Sequence, residues 1–570
     1  MVSRLAPLIA SFALSACVAS AAPSPPPSAA PPGMVSAADP RAAQAGAEML
    51  RLGGTAADAA FATLVALTVV EPQSSGIGGG GFLVYSTASA APETYDGRET
   101  APAAADGKWF WAKGAPLSID QAIPGGKSVG VPGNVRLMAI AHARHGKLPW
   151  KTIFQPAIRL ARDGFAITKR LNFALARGDD EGLSVAGLTP AGRSLYFGAD
   201  GQPRPVGTII RNPALANFLT QLAERGPDSF YVGPNAQAIV AEVNGSARNP
   251  SRMTAGDIAS YDAKPRAAVC GDYRGYRICG MGPPSSGATT VFAILKQLER
   301  FDLSGLGPRS PRSWHLIAES MRLAYADRDQ YLGDPDFVSV PVAGLIDPGY
   351  LAQRSALIAT DRTIPESTAG SPAGAPVLAC TAPAAERGTS HFVAVDRWGN
   401  VASETSTIES AFGSGLIVNG YYLNNELTDF NFIPVKNGCP VANRVEGGKR
   451  PRSSMSPTIV YGPDGKVRLA VGAAGGATII AQVAKAIIGV VDWKLTAQEA
   501  IALPTIFAPG GQTVYLERGT WLETLAPDLR ALGHRVEARA PSFKANAIEF
   551  VGGRWVGAAD PRSEGVAVGE

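Results

Sequence analysis

Gly388-Thr389-Ser390-His391, running on into Phe392-Val393-Ala394-Val395, sets a threonine directly after a glycine and at the mouth of an apolar strand. A cut between Gly388 and Thr389 makes that threonine an amino terminus. Its free α-amine then acts as base for its own hydroxyl, so one residue supplies both nucleophile and proton acceptor. The same hydroxyl must first attack the carbonyl of Gly388, giving an ester that water cleaves. A residue without a side chain leaves that carbonyl open to attack. Ser390 also carries a hydroxyl but would gain no adjacent free amine. Taken alone, Gly-Thr-Ser is an ordinary strand entry.

Its company downstream changes that. Thr405-Ser406-Thr407-Ile408-Glu409, Asn424-Asn425-Glu426-Leu427-Thr428-Asp429-Phe430, Arg452-Ser453-Ser454-Met455-Ser456-Pro457 and Gly475-Gly476 follow in that order. The set resembles the small subunit of γ-glutamyltransferases, members of the N-terminal nucleophile hydrolases. The resemblance runs from Gly33 to Asp560-Pro561-Arg562-Ser563-Glu564-Gly565. It implies an α/β protein of four layers, an α-β-β-α sandwich with two stacked sheets between helices. It also implies self-cleavage into a large subunit, 35–388, and a small catalytic subunit, 389–570, which stay associated. The activity implied is γ-glutamyl transfer and glutathione hydrolysis. A γ-glutamyl ester on Thr389 would pass to water or to an amino-acid or peptide amine, and no cofactor is implied.

The family's residues carry over position by position. Thr407 aligns with the threonine that hydrogen-bonds the nucleophile. A γ-glutamyl donor brings an α-carboxylate, which suits an arginine because its planar fork binds both oxygens at once. Tyr95-Asp96-Gly97-Arg98-Glu99-Thr100-Ala101-Pro102 resembles the segment carrying that arginine, and so assigns it to Arg98. Ser453 and Ser454 would add hydroxyl donors. The donor's ammonium needs acceptors, supplied by Asp429, Glu426 and Glu409, the last two at positions where members carry Gln or Glu and Asn or Glu respectively. Three carboxylates together are expected to raise at least one pKa by like-charge repulsion. Gly475 and Gly476 match the oxyanion glycines, whose backbone N–H groups stabilise the tetrahedral intermediate. The loop from Asp429 to Ser453 is shorter than in lid-bearing members and lacks their tyrosine, which leaves pocket closure open. Two other readings stand beside this one. The first is an acylase using Thr389 on a glutaryl or poly-γ-glutamyl group. The second is a surface lipoprotein that kept the fold and lost the chemistry.

The amino terminus reads as a targeting segment. Arg4 precedes a short apolar run, Leu5 to Leu14, and Leu14-Ser15-Ala16-Cys17 matches a bacterial lipoprotein signal. Residues 1–16 would be removed, Cys17 lipidated, and 17–34 left as a Pro/Ala/Ser-rich tether. The alternative is an ordinary signal peptide cut near Ala21-Ala22. Both export the chain, the first to the periplasmic face of a membrane, and an exported chain permits disulfides. The four remaining cysteines could pair in three ways. Cys270 to Cys279 reads as a hairpin turning at Arg274-Gly275, with the two cysteines facing each other across it. By elimination, Cys380 and Cys439 form the second bridge.

Composition narrows the class further. The 570 residues are 46% hydrophobic and 18% charged, with a net charge of +4 and no sustained basic run, which is no footprint for nucleic acid. Asp39-Pro40 caps a helix over Arg41–Leu52, and Thr55 caps another over Ala56–Val70. Gly76-Ile77-Gly78-Gly79-Gly80-Gly81 mimics a dinucleotide fingerprint, yet follows a helix and precedes the strand Phe82–Tyr85, the reverse of what such a site needs. Helices are expected over Ile153–Asp163 and, amphipathic, over Thr290–Phe301. The stretch from 175 to 265 reads as polar helices and loops on a core made elsewhere, and 361–387 as a flexible approach to the cut. Leu469–Val491 is apolar but too interrupted by Gln482, Lys485 and glycines for a membrane span. The five histidines offer no ligand cluster, so no metal is expected.

Overall fold

The structure is a computed structural model that describes residues 1–2, 31–88, 91–177, 184–377, 380, 388–540 and 543–570. The expectations for a signal segment, for lipidation at Cys17 and for most of the tether lie outside the described residues. In chain order the framework is β1 (Met34–Ala37), α1 (Pro40–Arg51), α2 (Ala56–Val70), β2 (Gly80–Ser86), β3 (Glu93–Gly97), β4 (Lys264–Arg266), β5 (Val269–Tyr273), β6 (Tyr276–Gly280), α3 (Gly287–Leu298) and α4 (Pro311–Tyr331). After Gly388 come β7 (Ser390–Val395), β8 (Val401–Thr407), β9 (Thr458–Tyr461), β10 (Val467–Ala474), α5 (Thr478–Val491), β11 (Lys544–Val551), β12 (Arg554–Ala559) and β13 (Val566–Gly569).

Two antiparallel sheets stack face to face. The first has the order β13-β1-β7-β8-β2-β3-β4 and the second β12-β11-β10-β9-β6-β5. Each takes strands from both sides of residue 389, so neither side alone completes either sheet. Side chains alternate along β7 as the pleat demands. Phe392 and Ala394 join the core under α1 and α2, whereas Val393 and Val395 join the core shared with the second sheet and with α3, α4 and α5. Ser390 therefore points to the helix side, and His391 points between the sheets. This is the α-β-β-α sandwich.

Local rules place the elements. Asp39 caps α1, and Thr55 and Asp58 form a capping box on α2. Every residue of α2 is buried, as expected of a helix that is apolar all round. The hairpin β5-β6 turns through Arg274 and Gly275, both at positive φ, and Cys270 faces Cys279 with their Cα atoms 4.2 Å apart in a disulfide. Cys380 and Cys439 are also bonded, with Cα atoms 5.9 Å apart.

Some boundaries differ from expectation. The helix predicted over Ile153–Asp163 is two, Trp150–Ile153 and Gln155–Asp163, broken at Phe154. The predicted Thr290–Phe301 helix is α3, one turn earlier, and it is buried on nearly every face because the second sheet and α4 enclose it. The stretch from 175 to 265 does contribute core, through Phe218, Leu222, Phe230, Tyr231 and Ile239. Leu469–Val491 is a strand and a helix joined at Gly475-Gly476. Among the described residues no helix is long and apolar enough to cross a membrane.

Candidate active site

The site lies where β7 begins and β8 ends, between the sheets. Gly388, Thr389, Thr407, Glu409, Glu426, Asp429, Ser453, Ser454 and Gly476 line one small pocket, floored by Met455 and Ile479. A larger cavity, about 650 Å³, sits at the opposite end of these strands beside Trp398 and Tyr461 and contains none of them.

The chain is continuous through Gly388 and Thr389. The Thr389 hydroxyl lies hydrogen-bonded against the carbonyl oxygen of Gly388, and the Thr407 hydroxyl donates to that same oxygen at 3.3 Å. Thr407 thus donates to the Gly388 carbonyl oxygen, and the expected bond to the hydroxyl or free amine of Thr389 concerns a cut chain. The Glu409 N–H donates to Thr407 Oγ1 at 2.7 Å and fixes it. A side chain at 388 would bring its Cβ to 2.2 Å from the Glu409 carbonyl oxygen, so only glycine fits. Gly79 serves similarly, since a Cβ there would lie 1.9 Å from the Thr407 carbonyl oxygen. The glycine run thus makes a close backbone contact with the end of β8.

Arg98 is fully buried behind the pocket and does not line it. Its guanidinium pairs with Glu426 and Asp429, and it also donates to the carbonyls of Pro451 at 3.1 Å and Arg452 at 3.0 Å. Burial works against its charge, but Glu426, Asp429 and Glu99 together hold it protonated. Burial pushes Glu99 up to about 8, against the pull of Arg98 3.9 Å away. Burial raises Glu426 as well, with Glu99 and Glu409 adding repulsion. The crowding of carboxylates expected from the sequence is therefore real, with Glu99 an added member. The Glu409 carboxylate accepts from Asn425 Nδ2 at 2.7 Å and from the Ser410 hydroxyl.

Ser453 and Ser454 each already accept one hydrogen bond at the hydroxyl. Ser453 Oγ accepts from the Met455 N–H at 3.1 Å, and Ser454 Oγ accepts from Arg328 at 2.6 Å. Each keeps an O–H that can donate, which suits an incoming carboxylate. Gly475 and Gly476 belong neither to β10 nor to α5, and both have positive φ, at 128° and 58°. Their N–H groups sit at the amino end of α5, a setting that favours negative charge. Gly476 lines the pocket and Gly475 stands one residue back.

Several contributing residues escaped sequence reasoning. Ser286 donates from its hydroxyl to the Ser453 carbonyl at 2.7 Å, and Ser285 donates to Met455 O at 2.6 Å. The Pro-Pro-Ser-Ser-Gly run before α3 was the available signal for both. Arg328 had none. Glu71, Ser390 and Lys544 form a buried cluster beside Thr389, in which the Ser390 hydroxyl donates to Glu71 at 2.6 Å and Lys544 Nζ to Glu71 at 2.8 Å and to Ser390 at 3.0 Å. Burial lowers Lys544 to about 8, against the attraction of Glu71. His391, two residues on from Thr389, is held neutral by burial, its pKa pushed down to about 3, and its Nδ1 lies 2.8 Å from Thr405 Oγ1. Among the described residues no cluster of His, Cys, Asp or Glu could hold a metal ion.

A model of the family described as Gamma-glutamyltranspeptidase matches residues 42–570. The glutathione hydrolase proenzyme of Bacillus subtilis (strain 168) is 36% identical over 94% of this chain and 91% of its own length. That of Escherichia coli (strain K12) is 35% identical over 93% and 90%. Among solved structures, a cephalosporin acylase from Bacillus halodurans superposes with a TM-score of 0.82 at 26% identity, covering 97% of this chain and 99% of that one.

Proposed function

This chain belongs to the gamma-glutamyltranspeptidase family, and from that membership we propose how its own residues carry out the reaction. It is a γ-glutamyltransferase and glutathione hydrolase, made as a proenzyme. Maturation begins when Thr389 Oγ attacks the Gly388 carbonyl carbon. Thr407 donates to the oxygen that becomes negative, the peptide nitrogen leaves as the amine of Thr389, and water cleaves the resulting ester. The products are a carboxylate on Gly388 and a threonine with free amine and free hydroxyl.

In the mature site that amine takes the hydroxyl proton as Oγ attacks the γ-carbonyl of a donor such as glutathione. The N–H groups of Gly475 and Gly476 stabilise the oxyanion, the donor's amine departs with the proton, and the γ-glutamyl ester passes to water or to an acceptor amine. The observation that carries this account is the Thr389 hydroxyl lying against the Gly388 carbonyl, with Thr407 on the same oxygen. Donor recognition follows from the pairing behind it. Arg98 with Asp429 and Glu426 mirrors the charges of a zwitterion, so a γ-glutamyl group exchanges its carboxylate onto Arg98 and its ammonium onto the carboxylates. Ser453 and Ser454 donate to the carboxylate, and Glu409 faces the ammonium.

The chain is exported, with Cys17 lipidated and the protein tethered at the periplasmic face of a membrane. Palmitate labelling that persists in Cys17→Ser would contradict the anchor. The likeness to a cephalosporin acylase raises a second reading, in which Thr389 takes a glutaryl group instead. Comparing kcat/KM for a chromogenic γ-glutamyl anilide and its glutaryl counterpart separates the two. The account expects a strong preference for the γ-glutamyl compound, and preference for the glutaryl one would favour the acylase.

A further inference from the structure

We infer that the Cys380–Cys439 disulfide keeps the two mature chains covalently joined and, through the hairpin that carries Cys439, holds Asp429 and Ser453 in place. This rests on the proposed cut between Gly388 and Thr389. Cys380 lies upstream of that cut and Cys439 downstream. In the uncut chain their bond spans a sequence separation of 59, and once the chain is cut it becomes a link between large and small subunits. Cys270 and Cys279 cannot play this part, because both lie upstream.

The bond lies on a hairpin whose two ends lead to the pocket residues Asp429 and Ser453. From Asp429 the chain runs out along a hairpin and back, with Val435 paired to Pro440 and Lys436 to Cys439 at its tip. The Val441 N–H donates to Pro434 O at 3.0 Å, and the Asn431 N–H to Asn443 O at 2.8 Å. At the base, Asn443 joins both sides of the pocket. Its Nδ2 donates to the Asp429 carbonyl, and its Oδ1 accepts from the Arg452 N–H, both at 2.8 Å. Asp429 is a proposed ammonium ligand, and Arg452 immediately precedes the proposed carboxylate donor Ser453.

The outgoing arm is seated by Phe432, which stacks on Phe110 with centroids 4.3 Å apart, and by Trp111 Nε1 donating to Phe432 O at 2.7 Å. The returning arm is met by Cys380, which forms a β-bridge with Val441 as well as the disulfide. The tip itself has little packing, with Val435 52% exposed. Cutting the peptide at 388 releases one covalent tie of the Cys380 segment to the catalytic chain, and the disulfide remains as the other. Cys439 is thus a positioning residue. It touches no reacting atom, and it acts by fixing the arm that leads to Asn443.

The test is to trap purified protein with iodoacetamide and resolve it with and without dithiothreitol. The expected result is one species of full mass without reductant and two chains with it. Cys380→Ser/Cys439→Ser should give two chains under both conditions. In that double variant KM for a γ-glutamyl donor should rise roughly five-fold while kcat moves less than about two-fold. If the double variant fails to accumulate, the same kinetics are read on Cys270→Ser/Cys279→Ser protein reduced and alkylated after folding. Two chains from trapped wild type without reductant would overturn the link, and an unchanged KM would overturn the positioning role. One chain under both conditions would instead remove the cut, and this inference with it.

Discussion

In the proposed reaction Gly388 and Thr389 concentrate the chemistry, and single atoms there have large consequences. Adding one carbon at 388 sets a Cβ against the Glu409 carbonyl and displaces the scissile bond from Thr389. Gly388→Ala should therefore accumulate as uncut chain on a denaturing gel, while Thr389→Ser, which keeps a hydroxyl, should still process. Arg98→Lys keeps the charge but loses the planar fork, and Asp429→Asn removes the ammonium's partner. Each should lower kcat/KM for a γ-glutamyl donor by on the order of 2–5 kcal/mol in transition-state free energy, with processing spared. Equal processing rates and unchanged kcat/KM would remove both from the donor site. Most of these residues were legible because their motifs match a known pattern in order. What that pattern could not convey is that Arg98 sits behind Glu426 and Asp429, or that Glu99 shares the same buried space, since both depend on three segments meeting.

At the scale of elements, two buried titratable groups distinguish β8 and β11. Glu404 on β8 is fully buried, and neither of its carboxyl oxygens has a hydrogen-bond partner. Burial raises its pKa well above the usual 4.5, so it is protonated in the fold. Its contribution to stability is complete below that unfolded-chain value and is lost as pH rises toward the folded one. Glu404→Met, similar in length and apolar, should raise Tm at neutral pH by the equivalent of about 1–3 kcal/mol and flatten the decline of stability with pH. An unchanged Tm and pH profile would mean that Glu404 finds a partner. Lys544 on β11 presents the opposite case, since it pairs with Glu71. Lys544→Met leaves the buried Glu71 carboxylate with only the Ser390 hydroxyl and Arg170, 3.7 Å away, and should cost on the order of 3 kcal/mol, most of it recovered in the Glu71→Gln/Lys544→Met double variant. Equal losses in the single and double variants, read by denaturant melts, would contradict that coupling. Helix caps and the β5-β6 hairpin were plain in the sequence because their signals are local. The burial of α3 and the core role of 175 to 265 were not, because a helix's neighbours are absent from its own sequence.

For the whole molecule, the interleaving of strands from before and after residue 389 explains why a cut chain would stay together. In the first sheet β7 and β8 lie between β1 and β2, and in the second β9 pairs with β6, so each sheet is broken if either part leaves. The order of motifs implied the sandwich, and that much was readable, whereas register and the pairing of distant segments such as Lys544 with Glu71 rest on tertiary geometry alone. The central claim is that the protein cuts itself before Thr389 and then works from that terminus. Its most direct test is the intact mass of the reduced, purified protein beside that of Thr389→Ala. The account predicts a wild-type small chain whose mass equals residues 389–570, beginning at threonine, and a single uncut chain for the variant. A small chain starting at any other residue, or the same cut in Thr389→Ala, would contradict it.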